Sequence, residues 1–356
     1  MALISTIIRP DILALNSYHV PDASNMVKLD AMENPYDLPA ELKAQLGAHL
    51  AQVGLNRYPV PSYHTLKQKI CQQFGVPPGF DVILGNGSDE LITMLSVACA
   101  KPGAKVMAPV PTFVMYAISA QLAGLEFVGV PLQADLTLDM PAMLAAIALH
   151  RPALLYISNP NNPTGSWIAQ EQIVQLLDAM SDIGLVIVDE AYQPFAPDSM
   201  MAHLPEYAHL LVMRTVSKLG LAGLRLGYMS AAPELLAEIE KVRPPYNINV
   251  LTAAASEFLL QHMAVFNHQA QQLREQRSIL LAQLEKLPTV QVFPSQANFV
   301  LIRVPNAEQI FMKLLEKKIL VKNIGKMHSL LANCLRVTVS TAEENNLFIT
   351  ALHALL

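Results

Sequence analysis

Lys218 is the residue of this chain whose setting is most typical of covalent chemistry. An apolar run from Leu210 to Met213 predicts a strand, and Ser217 and Lys218 follow at its end. A lysine amine becomes a nucleophile when burial or neighbouring cations lower its pKa. Arg225 stands seven positions further on, and a guanidinium can hold a phosphate through two parallel hydrogen bonds. The stretch indicates a reactive lysine beside an anion site, although two surface residues would give the same pattern.

A glycine-rich turn is a second candidate for anion binding. The strand pattern Asp81 to Leu84 runs into Gly-Asn-Gly-Ser-Asp-Glu at residues 85–90, and a helical pattern follows. Such a turn directs backbone N–H groups and the positive end of a helix toward one point. Asp89 and Glu90 can equally serve as ordinary carboxylates in the first turn of that helix.

Strands and helices alternate through most of the chain, and this alternation predicts the fold class. The predicted strands here are 81–84, 106–109, 127–132, 153–158, 185–188 and 209–214. The pattern implies an α/β protein with a doubly wound, mostly parallel sheet, which binds ligands outside the carboxyl ends of its strands. Asp189, Tyr192 and the loop 159–165 each follow such a strand. We therefore expect these polar groups to meet in one cleft.

A smaller α/β unit is predicted at the end of the chain, with strands 290–293, 298–304, 319–322 and 335–339. We divide the chain into an N-terminal arm (1–28), a large domain (29–248) and a connecting helix with the small domain (249–356). The first part of the large domain can pack with the small one. Arg336 alternates with apolar neighbours, so it either meets an anion or lies on the surface of an edge strand.

Composition excludes several classes of protein. No apolar run approaches the roughly 18 residues that a membrane span needs, and the N-terminus lacks a signal-peptide pattern. The 24 basic residues are outnumbered by 29 acidic ones without a basic cluster, which argues against nucleic-acid binding. Three scattered cysteines, Cys71, Cys99 and Cys334, argue for a reducing compartment and against disulfides or a metal site. These features predict a soluble cytoplasmic protein.

The combination of residues in the cleft predicts a particular cofactor. The cleft offers a lysine, an aspartate at a strand end, a nearby tyrosine, a phosphate site with its own arginine, an asparagine loop and the aromatic Phe113. Pyridoxal 5′-phosphate carries an aldehyde, a basic ring nitrogen, a phosphate and a flat aromatic face. Enzymes hold it through a lysine and an acidic partner of the ring nitrogen.

The motifs in their order give the chain a family resemblance. Asn-Gly-Ser-Asp-Glu (86–90), Asn-Pro-Asn-Asn-Pro-Thr-Gly (159–165), Asp-Glu-Ala-Tyr (189–192) and Ser-Lys…Leu-Arg (217–225) resemble fold-type I pyridoxal-phosphate-dependent aminotransferases. With Asn-Arg-Tyr-Pro (56–59), Pro-Thr-Phe (111–113) and Asn-Cys-Leu-Arg-Val-Thr-Val (333–339), the chain is similar over nearly its whole length to the histidinol-phosphate aminotransferase family.

The resemblance implies roles for the cofactor-binding residues. Lys218 would hold the cofactor covalently and move a proton, and Asp189 would pair with the ring nitrogen. Tyr192 and Asn162 would bind the ring hydroxyl oxygen, and Phe113 would stack on the ring. The phosphate would be held by the backbone of Ser88 and Asp89, a hydroxyl of Thr215 or Ser217, Arg225, and Tyr58 of the neighbouring subunit of a homodimer. From the sequence alone, Tyr58 could equally be a packed turn aromatic.

The resemblance also implies a substrate pair, histidinol phosphate with glutamate or 2-oxoglutarate. Arg336 would bind the substrate anion, Tyr18 and Asn34 would help to form the substrate site, and Lys322 would supply a second positive charge. The chain departs from the family at Lys322, where many members have arginine, and at Asp30-Ala-Met32. An aromatic or broad-range aminotransferase therefore stays an alternative, as does a threonine-phosphate decarboxylase.

Overall fold

Two β-sheets organise the chain in the computed structural model, which describes residues 2–15 and 21–356. The strands are β1 (Val27–Leu29), β2 (Asp81–Asn86), β3 (Lys105–Val110), β4 (Glu126–Pro131), β5 (Leu154–Ser158), β6 (Leu185–Asp189), β7 (Leu210–Thr215), β8 (Leu226–Ala231), β9 (Gln291–Phe293), β10 (Phe299–Arg303), β11 (Ile319–Asn323) and β12 (Cys334–Thr338). All strands predicted from the sequence are present within two residues of their predicted ends, whereas β1 and β8 were not among the predicted strands.

The larger sheet has seven strands in the order β2-β8-β7-β6-β5-β3-β4. Strands β3 to β7 pair in parallel, and β8 runs antiparallel to both of its neighbours. This confirms the predicted doubly wound, mostly parallel sheet. The carboxyl ends of β5, β6 and β7 consequently lie side by side, with Ser158 next to Asp189 and Asp189 next to Met213.

Thirteen α-helices are assigned within the described residues. They are α1 (Ala2–Ile7), α2 (Pro10–Leu13), α3 (Ala40–Leu50), α4 (His64–Phe74), α5 (Ser88–Ala98), α6 (Met115–Leu122), α7 (Met140–His150), α8 (Gln170–Met180), α9 (Pro233–Glu240), α10 (Val250–Leu259), α11 (Met263–Leu284), α12 (Ala307–Glu316) and α13 (Ala342–His353). None of the described helices is long and apolar enough to cross a membrane.

Both faces of the larger sheet are buried, because residues along each strand alternate between two hydrophobic clusters. On β6, Val186 and Val188 pack on the side of α4, α7 and α8, whereas Ile187 packs on the side of α5, α6 and α9. Strands covered on both faces read as continuous apolar runs, which is why the sequence predicted them well. The charged side chains of this sheet lie at or next to the strand ends.

The smaller sheet has the order β1-β11-β12-β10-β9. It buries a third hydrophobic cluster that includes residues of α11, α12 and α13. Strand β12 lies in the middle, so the edge-strand alternative for Arg336 is wrong. The Arg336 side chain is buried, with 8% of its surface exposed. Strand β1 precedes the larger sheet in sequence but pairs in parallel with β11, which ties the start of the chain to the C-terminal unit.

The described part of the predicted arm contains two short helices. Most of its side chains are exposed, and the Arg9 guanidinium donates to the carbonyl oxygens of Gln121 and Leu122, each at 2.8 Å. These contacts place the arm against the end of α6. Tyr18 lies outside the described residues. The residue boundaries proposed for the arm and the two domains stay a prediction.

Candidate active site

Lys218 lies in a short 3₁₀ turn, Ser217–Leu219, directly after β7. Its Nζ donates to the carbonyl oxygen of Ala31 at 3.1 Å and lies 5.8 Å from the centre of the Tyr192 ring. Burial, followed by the positive charge of Arg336, lowers the pKa of Lys218 to about 8. The amine is therefore much closer to its neutral, nucleophilic form near neutral pH than an ordinary lysine is.

Asp189 ends β6 and is 3% exposed. Its Oδ2 accepts a hydrogen bond from the Tyr116 hydroxyl at 2.7 Å, and its Oδ1 accepts one from the backbone N–H of Ala191 at 3.1 Å. Burial raises the pKa of Asp189 to about 6, and these two hydrogen bonds oppose that rise. The carboxyl group is thus ionised near neutral pH and can balance a positive charge in the cleft.

A candidate anion site lies where β2 ends and α5 begins. Gly87 adopts φ +78°, which glycine favours, and a Cβ there would lie 2.7 Å from Arg225 Nη2. A Cβ on Gly227 would lie 2.7 Å from the backbone nitrogen of Ser88. The two glycines therefore let the guanidinium and the strand approach the first N–H groups of α5 closely. Arg225 Nη2 is also 3.6 Å from Asp89 Oδ2.

Two hydroxyl groups lie beside this anion site. Thr215 Oγ1 accepts from the backbone N–H of Ser217 at 3.1 Å and donates to the carbonyl oxygen of Leu226, also at 3.1 Å. Thr215 Oγ1 can instead donate to the Ser217 hydroxyl, 2.9 Å away. Because either bond uses the one hydroxyl proton of Thr215, Ser217 is the better placed of the two to donate to a bound anion.

Arg336 connects the smaller sheet to the cleft. Its Nη1 donates to Asn162 Oδ1 at 2.6 Å, and its Nη2 donates to the carbonyl oxygen of Asp30 at 2.7 Å. The guanidinium also lies 5.5 Å from the centre of the Phe299 ring. Lys322 is the cross-strand neighbour of Arg336 on β11. The predicted anion-binding side chains of the C-terminal unit are therefore adjacent.

The cleft encloses about 240 Å³. Its wall contains ten of the residues predicted from the sequence, namely Ser88, Asp89, Phe113, Asn162, Asp189, Tyr192, Thr215, Ser217, Lys218 and Arg225. The wall also includes Ala31, Met32 and Glu33 from the segment after β1. The structure thus brings the polar residues at the strand ends into one cleft, as the sequence predicted.

Four of the predicted residues that the structure describes are not part of this wall, namely Arg336 and Lys322, described above, and Asn34 and Tyr58. Asn34 donates through its amide to the carbonyl oxygen of Leu219 at 3.0 Å and to Gln269 Oε1 at 2.9 Å. These bonds hold the segment after β1 to the turn that carries Lys218. Tyr58 packs its ring on Tyr246 with ring centres 4.6 Å apart, while 79% of its surface is exposed.

Sequence reasoning missed two features next to the site. Tyr116, on α6, is the side-chain partner of Asp189, and nothing in the residue spacing signalled this contact. Glu190 and Arg214 form a buried ion pair at 2.8 Å, one residue from Asp189 and from Thr215 respectively. Ser199 donates to Glu190 at 2.8 Å and accepts from Arg214 at 2.6 Å, so the pair is also hydrogen-bonded.

The donor set fits pyridoxal 5′-phosphate. The anion site of α5 and Arg225 suits a dianionic phosphate, because helix N-termini and guanidinium groups both favour phosphate oxygens. Asp189 suits a basic ring nitrogen, and the amine of Lys218, with its lowered pKa, suits an aldehyde. Phe113 in the cleft wall suits the flat aromatic face of the cofactor ring.

Comparisons with known proteins agree with this chemistry. The family model described as aminotransferase class I and II matches residues 24–352. Histidinol-phosphate aminotransferase 1 of Ralstonia nicotianae is 59% identical over 355 residues, covering 99% of this chain and 95% of the relative. Histidinol-phosphate aminotransferase 2 of Cupriavidus pinatubonensis is 58% identical over 356 residues, covering 99% of this chain and 97% of the relative.

Among solved structures, histidinol-phosphate aminotransferase from Sinorhizobium meliloti, in complex with pyridoxal-5′-phosphate, has the same fold. Its TM-score is 0.87 over 99% of both chains at 22% identity. The family match spans nearly all of the described chain, and the two curated relatives align along almost their whole lengths. The chain therefore belongs to the class I and II aminotransferases, a family of enzymes that use pyridoxal 5′-phosphate, and it groups there with the histidinol-phosphate aminotransferases.

Proposed function

We propose that this enzyme transfers an amino group between L-histidinol phosphate and 2-oxoglutarate, giving imidazole-acetol phosphate and L-glutamate. The observation that carries the proposal is the identity of 58–59% along almost the whole chain to relatives with that activity in their names. Both substrates are small anions, and Lys218 and Arg225 in the cleft wall, with Arg336 hydrogen-bonded to the wall residue Asn162, supply positive charge for them. The reaction would serve histidine biosynthesis.

Arg336 is the residue that we assign to the substrate anion. It would bind the α-carboxylate of glutamate in one half-reaction and the phosphate of histidinol phosphate in the other, because a guanidinium pairs well with both groups. Its present hydrogen bonds go to an amide oxygen and a backbone carbonyl. Asn34 would support this site by holding the segment after β1, and Lys322 and Tyr18 would contribute from its outer part.

When bound, the cofactor supplies a carbonyl that condenses with amines and a ring that withdraws electrons from the substrate α-carbon. Lys218 would anchor it and, once released, would move a proton with its neutral amine. Asp189 would keep the ring nitrogen protonated. Tyr192 and Asn162 would hold the ring hydroxyl oxygen, and Phe113 would cover one face of the ring.

The phosphate of the cofactor would lie at the start of α5. The backbone N–H groups of Ser88 and Asp89 and the guanidinium of Arg225 would bind it. We assign the hydroxyl contact to Ser217 rather than Thr215, because Thr215 donates to the Leu226 carbonyl oxygen.

Attachment of the cofactor to Lys218 is tested by borohydride reduction of the purified enzyme. The reduced label should be found on the peptide that contains Lys218, and Lys218→Ala should carry none. A reducible adduct on another lysine in Lys218→Ala would refute the assignment.

A substrate panel tests the proposed reaction. Histidinol phosphate, phenylalanine, tyrosine and threonine phosphate are each assayed with 2-oxoglutarate, and we expect the highest kcat/KM for histidinol phosphate. A higher kcat/KM for phenylalanine would make the chain a broad aromatic aminotransferase. Release of carbon dioxide from threonine phosphate would instead identify a decarboxylase.

We propose further that the active enzyme is a homodimer in which Tyr58 completes the partner's phosphate site. Tyr58 lies among other exposed apolar side chains, Leu55 at 69% and Val60 at 73%, and such a patch is typical of an interface. Mixing inactive Lys218→Ala with an inactive Tyr58→Ala variant tests this arrangement. Heterodimers should regain one intact site, whereas mixing Lys218→Ala with Arg336→Ala should regain none if both residues serve the same site of one subunit. A monomer in sedimentation would refute the proposal.

We also propose the cytoplasm as the site of action. Cys71, Cys99 and Cys334 are free thiols, and free thiols persist in a reducing compartment. Fractionation of cells that produce the protein would test this assignment, and recovery from a membrane or extracellular fraction would contradict it.

A further inference from the structure

Tyr116 is a buried polar side chain that none of the roles above uses. It lies on α6, is fully buried, and donates its hydroxyl to Asp189 Oδ2 at 2.7 Å. Helix α6 belongs to the layer on one face of the larger sheet. The hydrogen bond therefore joins the helix layer to the carboxyl end of β6, where the predicted partner of the cofactor ring lies.

Aromatic contacts hold the Tyr116 ring on both sides. It stacks on Tyr156 of β5 with ring centres 4.4 Å apart and planes at 10°. It also meets Phe113, the predicted ring-stacking residue, edge to face at 5.6 Å. These contacts fix the position of the ring, so the Tyr116 hydroxyl oxygen is held within hydrogen-bonding distance of Asp189 Oδ2.

Asp189 depends on such donors because its surroundings disfavour charge. Its carboxyl group is buried, and the negative charges of Asp89 and Glu190 also oppose its ionisation. The hydrogen bonds from Tyr116 and from the N–H of Ala191 act in the opposite direction, and the one from Tyr116 is the larger of the two effects. They also occupy different carboxylate oxygens, which fixes the plane of the group.

We propose that Tyr116 is a positioning residue that keeps Asp189 ionised and correctly oriented to receive the protonated ring nitrogen of pyridoxal 5′-phosphate. The inference rests on the assignment of Asp189 as the ring partner and is independent of which amino substrate the enzyme prefers. Tyr116 acts through Asp189 and does not itself touch the reacting atoms.

The test compares Tyr116→Phe with Tyr156→Phe. Both variants remove one hydroxyl from the same stacked pair and keep both rings, but the Tyr156 hydroxyl is not hydrogen-bonded to Asp189. The readouts are the affinity of the cofactor-free protein for pyridoxal 5′-phosphate as a function of pH, and the NMR shift of cofactor isotopically labelled at the ring nitrogen. Thermal unfolding of each cofactor-free variant shows that it is folded.

Tyr116→Phe should weaken cofactor affinity near neutral pH by about ten- to a hundredfold, the usual cost of losing a hydrogen bond to a charged group. The protonated fraction of the ring nitrogen should fall as well. Because the variant carboxyl group protonates more readily, its affinity should recover as the pH is raised. Tyr156→Phe should leave the affinity within about threefold of wild type, since its hydroxyl contributes no bond to the carboxylate.

A double-mutant cycle establishes whether Tyr116 acts through Asp189. In an Asp189→Ala background, Tyr116→Phe should have almost no further effect on cofactor affinity. The proposal is overturned if Tyr116→Phe leaves the ring-nitrogen shift and the pH profile unchanged, or if its effect persists in full without Asp189. Both readouts are made without amino substrate, so failure of the histidinol phosphate assignment would leave their outcome intact.

Discussion

Lys218 should cost the cofactor-free enzyme folding free energy, and replacing it with methionine should recover that cost. Burial holds the pKa of Lys218 at about 8 instead of its ordinary 10.5. Since a tenfold change in proton affinity is worth about 1.4 kcal/mol, the fall corresponds to about 3 kcal/mol. The side chain is partly exposed to the cleft, where water screens its charge. We therefore expect Lys218→Met to be about 2 kcal/mol more stable near neutral pH.

The pH dependence of this difference is the decisive part of the prediction. Below pH 8 the amine is protonated in both the folded and the unfolded chain, so the folded state bears the full cost of the buried charge. Between about 8 and 10.5 the unfolded chain binds more protons, so the stability of the wild type rises with pH. The advantage of Lys218→Met should therefore shrink through this range and disappear at its upper end.

Urea denaturation of the two cofactor-free proteins, at equal protein concentration across this pH range, measures the difference. Lys326→Met is the matched control, because the Lys326 side chain is 88% exposed and its loss should change stability by less than about 0.5 kcal/mol at any pH. A stability gain for Lys218→Met that stays constant with pH would refute the reasoning, since it would come from apolar packing rather than from a buried charge.

Other charged groups around the cleft give three further predictions. Asp189→Asn should still hold the cofactor through Lys218, although with lower affinity, and should slow turnover by orders of magnitude at saturating cofactor, because an amide cannot balance a protonated ring; near-normal steady-state rates would remove Asp189 from the mechanism. Arg336→Ala should lower kcat/KM roughly a hundredfold in both half-reactions, whereas Lys322→Ala should affect one more than the other, as stopped-flow absorbance would show. Arg214→Met should cost about 3–5 kcal/mol by leaving the buried Glu190 carboxylate without its partner, and adding Glu190→Gln should restore much of this in urea denaturation.

The sequence predicted the large sheet and the position of the site because both depend on local patterns. Strands buried on two faces are continuous apolar runs, and their ends are marked by polar residues, as at Asp189 and Thr215. In a parallel sheet those ends share one edge. The alternation of strands and helices was therefore enough to predict that Lys218, Asp189 and the turn at Ser88 lie at the same edge of the sheet.

Features that depend on pairing between distant segments could not be predicted in this way. The three residues of β1 are too short to give a strand pattern, and their pairing with β11 joins segments almost 300 positions apart. Arg336 alternates with apolar residues whether its strand is central or at an edge, so only the strand order decides that it is buried. Tyr116 has the helical spacing of a core aromatic, and nothing in that spacing reveals that its hydroxyl meets Asp189.

Burial at the ends of β6 and β7 moves the pKa values of the two principal titratable groups toward each other. The pKa of Lys218 falls to about 8, and that of Asp189 rises to about 6. Between these values the aspartate is ionised, and the lysine yields an increasing fraction of neutral amine as the pH approaches 8. Hydrogen bonds from Tyr116 and Ala191 set the lower edge of this range, because they stabilise the carboxylate. The positive charge of Arg336 helps to set the upper edge, because it opposes protonation of the amine. Burial of these two groups therefore lowers the stability of the folded enzyme, but it allows a nucleophilic amine and a carboxylate to coexist near neutral pH.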